Sequence, residues 1–188
     1  MEHSEIINKV IEFADRAHGD QTRKYTPDKY IVHPIRVMET CKLYTDEVTV
    51  LSAAILHDVL EDTETTEDDI LGFLDDLMNE SDRNYTLQLV IELTDVYVKK
   101  DFPKLNRYTR KKMELERLRT ISTEAQTIKY ADILDNCKEI PLHDPSFAVR
   151  YLKECYEILK ALDKGHPELR RKTIDLVLSE LEVAHNNS

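Results

Sequence analysis

An all-α fold is predicted by three observations. Apolar residues recur at helical spacing through nearly the whole chain of 188 residues. No stretch alternates with period two, and no Asn-Gly or Asp-Gly pair marks a hairpin. Capping and breaking residues divide the pattern into consecutive helices of ordinary length.

Ile6, Ile7, Val10, Phe13, Ala14 and Ala17 place the first helix at 3–18. Segment 20–32 (DQTRKYTPDKYIV) has no period and contains Pro27, so it reads as a loop. Pro34 opens a helix over 34–44, and an almost unbroken apolar run gives 47–61. Thr66 with Asp69 three residues on forms a capping box, because each side chain can serve a backbone N–H that the helix start leaves unpaired; this predicts 67–78. Helices over 82–96, 104–120 and 122–138 follow from periodicity. Asp144 then Pro145 reads as N-cap and first helical residue of 145–163. Gly165 reads as a C′ glycine and Pro167 as the opening of a final helix at 167–184. No internal repeat or linker is visible, and the length suits one domain, residues 1–188.

Composition narrows the function. Apolar residues at 41% are enough for a real core, and three Gly with six Pro exclude low-complexity and collagen-like chains. The net charge of −11 argues against a nucleic-acid partner. No apolar run approaches the ~18 residues of a membrane span, and the amphipathic N-terminus lacks a signal-peptide core. Cys41, Cys137 and Cys155 share no metal-type spacing; they fit buried thiols in a reducing cytoplasm.

The segment LSAAILHDVLEDT carries the chemistry. Leu51, Ala53, Ala54, Ile55, Leu56, Val59 and Leu60 cover most of the helix circumference, so the helix should be largely buried. His57, Asp58, Glu61 and Asp62 nevertheless fall within an arc of roughly 140° at about 100° per residue. Buried charge is costly unless it is paired or holds a metal. No basic residue lies in the segment, and imidazole with carboxylate suits a divalent ion. Further ligands are sought in neighbouring segments. His33 stands before Pro34, where the helix should begin, and Asp132 lies among Ile128, Ala131 and Leu134. Taken singly, His33 also reads as a loop histidine and Asp132 as an exposed helical acid.

A basic block stands out in the acidic chain. Segment 98–119 has nine Lys/Arg and three acids, a net +6. It reads either as a field that draws an anion toward a cleft or as a solvated face with paired charges. Lys99, Lys100 and Lys104, around Pro103, are the candidates to face phosphate.

Taken together, AHGDQTRK, YIVHP, ILHDVLEDT, PKLNR and IKYADILDN resemble the HD-domain metal phosphohydrolases, and more narrowly the hydrolase domain of the RelA/SpoT homologues and its single-domain, metazoan SpoT-like members. HD alone would be a weak signal; HP, HDxxED and ADxxxN in this order are specific. The resemblance implies a compact HD-domain bundle of about 8–10 helices. It implies a metal, Mn²⁺ foremost, held by His33, His57, Asp58 and Asp132, with Glu61 and Asp62 acting on the attacking water. Arg23 and Lys24 match a basic pair near the base and ribose, and Asn136 an asparagine that contacts the nucleotide. The implied reaction removes pyrophosphate from the 3′ position of ppGpp or pppGpp in the cytoplasm. The length leaves no room for the synthetase domain of bifunctional relatives, so hydrolysis without synthesis is expected.

The sequence departs from the pattern in three places. Five residues, Tyr25 to Lys29, separate Lys24 from Tyr30, without the usual glycine. Ile133 replaces a customary Arg or Lys, and Asp135 a His or Tyr. These leave the ligand set intact but touch phosphate contacts. They motivate two further expectations: an HD-type phosphatase acting on NADPH or another phosphorylated nucleotide, and a binding module with little turnover.

Overall fold

A computed structural model describes residues 2–186, and the chain divides between Thr94 and Asp95 into two compact units. Ten α-helices and no strand are found among the described residues, in agreement with the all-α expectation.

The first unit is organised by its most apolar helix. α1 spans His3–His18, α2 Val32–Cys41, α3 Val48–Leu56, α4 Val59–Asp62, α5 Glu67–Asp75 and α6 Glu80–Leu93. Every residue of α3 is buried, and α1, α2 and α6 pack against it. At about 1.5–3 kcal/mol for each large apolar side chain buried, this helix is the unit's main source of cohesion. Phe13 stacks on Phe73 at 4.2 Å, fastening α5 to α1. Gly19 ends α1 with φ +57°, a region that a Cβ would penalise. The Thr66–Asp69 capping box forms as expected.

Three features of this unit differ from expectation, besides shifts of two or three residues at the ends of α5 and α6. α2 begins at Val32, so His33 lies inside the first turn and not ahead of it. Val32 and His33 donate to the carbonyls of Lys29 and Tyr30, a tight turn that starts the helix early. Pro34 is tolerated there because first-turn N–H groups have no intrahelical partner anyway. The helix expected at 47–61 is two helices, with a turn at His57 and Asp58. Segment 20–32 is not featureless: Thr22 and Lys29 form an antiparallel bridge, with Arg23 and Tyr30 donating to the carbonyls of Asp28 and Gln21. Lys29 pairs with Asp15 of α1 at 3.1 Å.

In the second unit, α7 spans Arg107–Leu118, α8 Thr123–His143, α9 Pro145–Ala161 and α10 Pro167–Asn186. α9 packs against α7, α8 and α10, and α8 and α10 also pack on one another. α8 runs past its expected end at 138 and contains Pro141 in its last turns. Asp144 caps α9 through the Phe147 N–H, with Pro145 at the first position.

Gly165 is not a left-handed C′ residue, since only Gly19 among the glycines has positive φ. Its reason is space: a Cβ there would lie 2.5 Å from Tyr130 Cε2 and 2.9 Å from the Thr127 nitrogen. The Tyr130 O–H donates to the Leu162 carbonyl at 2.8 Å, drawing the α9–α10 connection onto α8. Cys41, Cys137 and Cys155 are all buried free thiols. Burial pushes the Cys41 thiol up to about 12, well away from thiolate chemistry.

Candidate metal centre

Three of the four expected ligands converge in the first unit. One donor atom each from His33, His57 and Asp58 lie within 4.8 Å of one another. His33 and His57 are 1% and 3% exposed, so their rings sit in the interior. Their centroids are 5.2 Å apart, inclined at 67°. Both Nε2 atoms face one oxygen, Asp58 Oδ2, at 3.7 Å from His33 and 3.1 Å from His57.

The break between α3 and α4 sets the His57 tautomer. His57 Nδ1 lies 2.8 Å from the Ala54 carbonyl, one of the acceptors that a helix end leaves without an N–H partner. A carbonyl only accepts, so Nδ1 carries the proton and Nε2 presents its lone pair toward Asp58. A backbone carbonyl behind one imidazole nitrogen, with the other turned toward a carboxylate, is how proteins orient histidine for a metal. Two imidazole nitrogens and a carboxylate oxygen suit a borderline-to-hard divalent ion.

Tyr30 joins this cluster, although the sequence reading passed over it. Its O–H lies 2.7 Å from Asp58 Oδ2 and 2.9 Å from Asp62 Oδ2. Burial first, then the two carboxylate charges, raise the phenol far above its ordinary range, so it stays a donor. Partial desolvation and the Asp58 charge raise the Asp62 carboxyl above the usual carboxylate range, against the Tyr30 hydrogen bond. No periodic signal marked it, because Tyr30 precedes α2 and its partners lie 28 and 32 residues further along the chain. Glu61, on α4, is exposed, one turn from His57. Arg23 is half-buried with its guanidinium 5.7 Å over the Tyr30 ring, whereas Lys24 is exposed with Nζ 2.8 Å from the Tyr25 hydroxyl.

The remaining candidates lie in the second unit. Asp132 is 8% exposed and so is not the exposed helical acid of the plain reading. Its carboxylate accepts from Asn136 Nδ2 at 2.7 Å and Lys129 Nζ at 3.0 Å, both about one turn away on α8. A cavity of about 460 Å³ is lined by Asp132, Lys129, Ile133, Tyr151, Lys111 and Tyr108, among others. The basic block divides. Arg107 pairs with Glu154, Lys111 with Asp95, and Arg117 with Glu114, so these charges serve structure. Lys99, Lys100 and Lys104 are exposed on the segment before α7. Glu114, 3% exposed, accepts the Val96 and Tyr97 N–H groups at 3.0 Å each and holds the start of that segment.

An all-helical fold with two buried histidines facing a half-buried aspartate, the second His and the Asp adjacent in sequence, defines a class. The family model of the HD domain matches residues 30–137, and the chain belongs to the HD-domain family. Within it, the chain groups with the metazoan SpoT-like hydrolases. It is 34% identical over 164 residues to the human guanosine-3′,5′-bis(diphosphate) 3′-pyrophosphohydrolase MESH1, covering 84% of this chain and 82% of that protein. A solved structure of a metazoan orthologue of SpoT that hydrolyses ppGpp superposes with a TM-score of 0.76 at 26% identity, over 93% of this chain and 94% of that one. The guanosine-3′,5′-bis(diphosphate) 3′-pyrophosphohydrolase of Aquifex aeolicus is 46% identical over 70 residues, which span 37% of this chain but 10% of that longer protein.

Proposed function

We propose that this protein is a Mn²⁺-dependent guanosine-3′,5′-bis(diphosphate) 3′-pyrophosphohydrolase of the cytoplasm, converting ppGpp or pppGpp to GDP or GTP plus pyrophosphate. The observation that carries the reading is the convergence of His33 Nε2, His57 Nε2 and Asp58 Oδ2, with Asp62 tied to the same cluster through Tyr30. The relatives named for this activity support it over an NADPH phosphatase. The HD match at 30–137 runs across the division at Thr94–Asp95, which supports treating residues 1–188 as one hydrolase domain.

The family resemblance makes Asp132 the fourth ligand of this proposal; within its own unit its carboxylate is held in orientation by Asn136 and Lys129. A divalent ion supplies a Lewis acid that acidifies water and offsets phosphoryl charge. The chain's own residues do the rest. Glu61 accepts the proton of the attacking water, a contribution of about 10²–10⁴-fold for a general base. Asp62, whose carboxyl is raised above the usual carboxylate range by partial desolvation and the Asp58 charge, stands beside it. Water's oxygen attacks the phosphorus on ribose O3′; pyrophosphate leaves with that oxygen, and O3′ takes up a proton. Arg23 and Lys24 face base and ribose. Lys99, Lys100 and Lys104 reverse the local field for a polyanionic substrate on a protein of net charge −11. The 460 Å³ cavity beside Asp132 is of nucleotide-site size. No described helix is long and apolar enough to cross a membrane.

A panel of ppGpp, pppGpp and NADPH, assayed separately for pyrophosphate and inorganic phosphate, tests the reading. Pyrophosphate with equimolar GDP or GTP is expected. Inorganic phosphate from NADPH, with no pyrophosphate from ppGpp, would replace this substrate by the alternative.

A further inference from the structure

Two acidic side chains assigned different tasks share one hydrogen-bond donor. Asp58 faces the two imidazole nitrogens, and Asp62 belongs to the proposed water-handling pair. Their Oδ2 atoms are bridged by the Tyr30 O–H at 2.7 and 2.9 Å. Two carboxylates this near one another repel unless something between them is attracted to both. A phenol holds one proton, which it donates to one carboxylate at a time, so it ties the position of each to the other.

The bridging ring is itself clamped. His18, 4% exposed, stacks on it with centroids 4.4 Å apart. His18 Nδ1 lies 3.1 Å from Gln21 Oε1, and Gln21 Nε2 donates to the Asp62 carbonyl at 2.8 Å. The Tyr30 N–H in turn donates to the Gln21 carbonyl at 2.9 Å. Asp62 is therefore gripped at both ends, its carboxylate by Tyr30 and its backbone by Gln21, with His18 joining the two grips. α4 has only four residues, too short to fix Asp62 by its own helical hydrogen bonds.

We infer that Tyr30 is a positioning residue that couples the metal-side carboxylate of Asp58 to the water-side carboxylate of Asp62, with His18 and Gln21 as its latch. The inference rests on the functional reading above for the role of Asp62, and on geometry alone for the coupling.

The test compares Tyr30→Phe and Gln21→Ala with the unmodified protein in two measurements. The first is Mn²⁺ affinity without substrate, read by competition with a chromophoric chelator. The second is kcat and KM for pyrophosphate release from ppGpp at saturating Mn²⁺. Tyr30→Phe is expected to weaken Mn²⁺ about 10–100-fold, the usual effect of removing a partner behind a metal ligand. It should also lower kcat at saturating Mn²⁺ by about tenfold or more, with KM unchanged. Gln21→Ala, at an exposed position, should lower kcat and leave Mn²⁺ affinity unchanged. Unchanged Mn²⁺ affinity in Tyr30→Phe overturns the inference, as does a kcat fully restored by excess Mn²⁺. Should Tyr30→Phe fail to fold, an unaltered kcat in Gln21→Ala overturns the latch. If the unmodified protein does not cleave ppGpp, the substrate reading falls, while the affinity measurement still decides the coupling.

Discussion

His57 and Asp132 are both ionisable residues set in strongly apolar helical segments, and the structure accommodates them in opposite ways. At His57 the helix stops. The expected single helix becomes α3 and α4, and the ring N–H serves the Ala54 carbonyl at the end of α3. Asp132 instead lies inside an unbroken helix of 21 residues, and the carboxylate is satisfied by side chains about one turn to either side, Lys129 and Asn136. The break turns adjacent residues toward a common point, so His57 and Asp58 meet at 3.1 Å. The unbroken helix instead surrounds one carboxylate with its own donors. A buried ionisable side chain can thus be oriented by interrupting backbone hydrogen bonding or by decorating it.

The comparison is broken most severely by removing a proposed ligand at the interrupted helix. Asp58→Ala should abolish Mn²⁺ binding and cut pyrophosphate release by roughly 10³-fold or more, given the several kcal/mol that a metal contributes at about 1.4 kcal/mol per tenfold. Metal content by mass spectrometry and turnover are the readouts. Glu61→Gln should lose about 10²–10⁴-fold in kcat with metal retained, since it removes a base and no ligand. Asn136→Ala probes the continuous helix: Asp132 keeps its place but loses a 2.7 Å hydrogen bond, and Mn²⁺ affinity should drop about 10–100-fold by chelator competition. Acidification should release the metal, because histidine binds only as the neutral base. Excess Mn²⁺ should move the acid limb of the pH profile to lower pH. Gly165→Ala should leave chemistry nearly untouched but destabilise the second unit by about 1–3 kcal/mol, because its Cβ would lie 2.5 Å from the Tyr130 ring. Thermal denaturation reads this.

The sequence marked the His57–Asp58 pair better than the geometry that orients it. His57 and Asp58 were legible because charge in an all-apolar helix demands an explanation, and HP with HDxxED narrowed it. The helix break was not legible: the His57–Ala54 hydrogen bond is local, but nothing in the letters says that a ring N–H will serve that carbonyl. Tyr30 was missed because its partners lie 28 and 32 residues away, beyond any periodicity argument. Gly165 was read as a conformational residue because a glycine after a helix usually is one, and only packing reveals that its missing Cβ is what matters. In the basic block, charge counting could not separate Arg107, Lys111 and Arg117, which pair with acids, from Lys99, Lys100 and Lys104.

The most direct measurement is anomalous diffraction at the manganese edge from crystals grown with Mn²⁺. A single peak at bonding distance from His33 Nε2, His57 Nε2 and Asp58 Oδ2 is the expected result. A protein that turns over ppGpp with no scatterer at those three atoms would contradict the account.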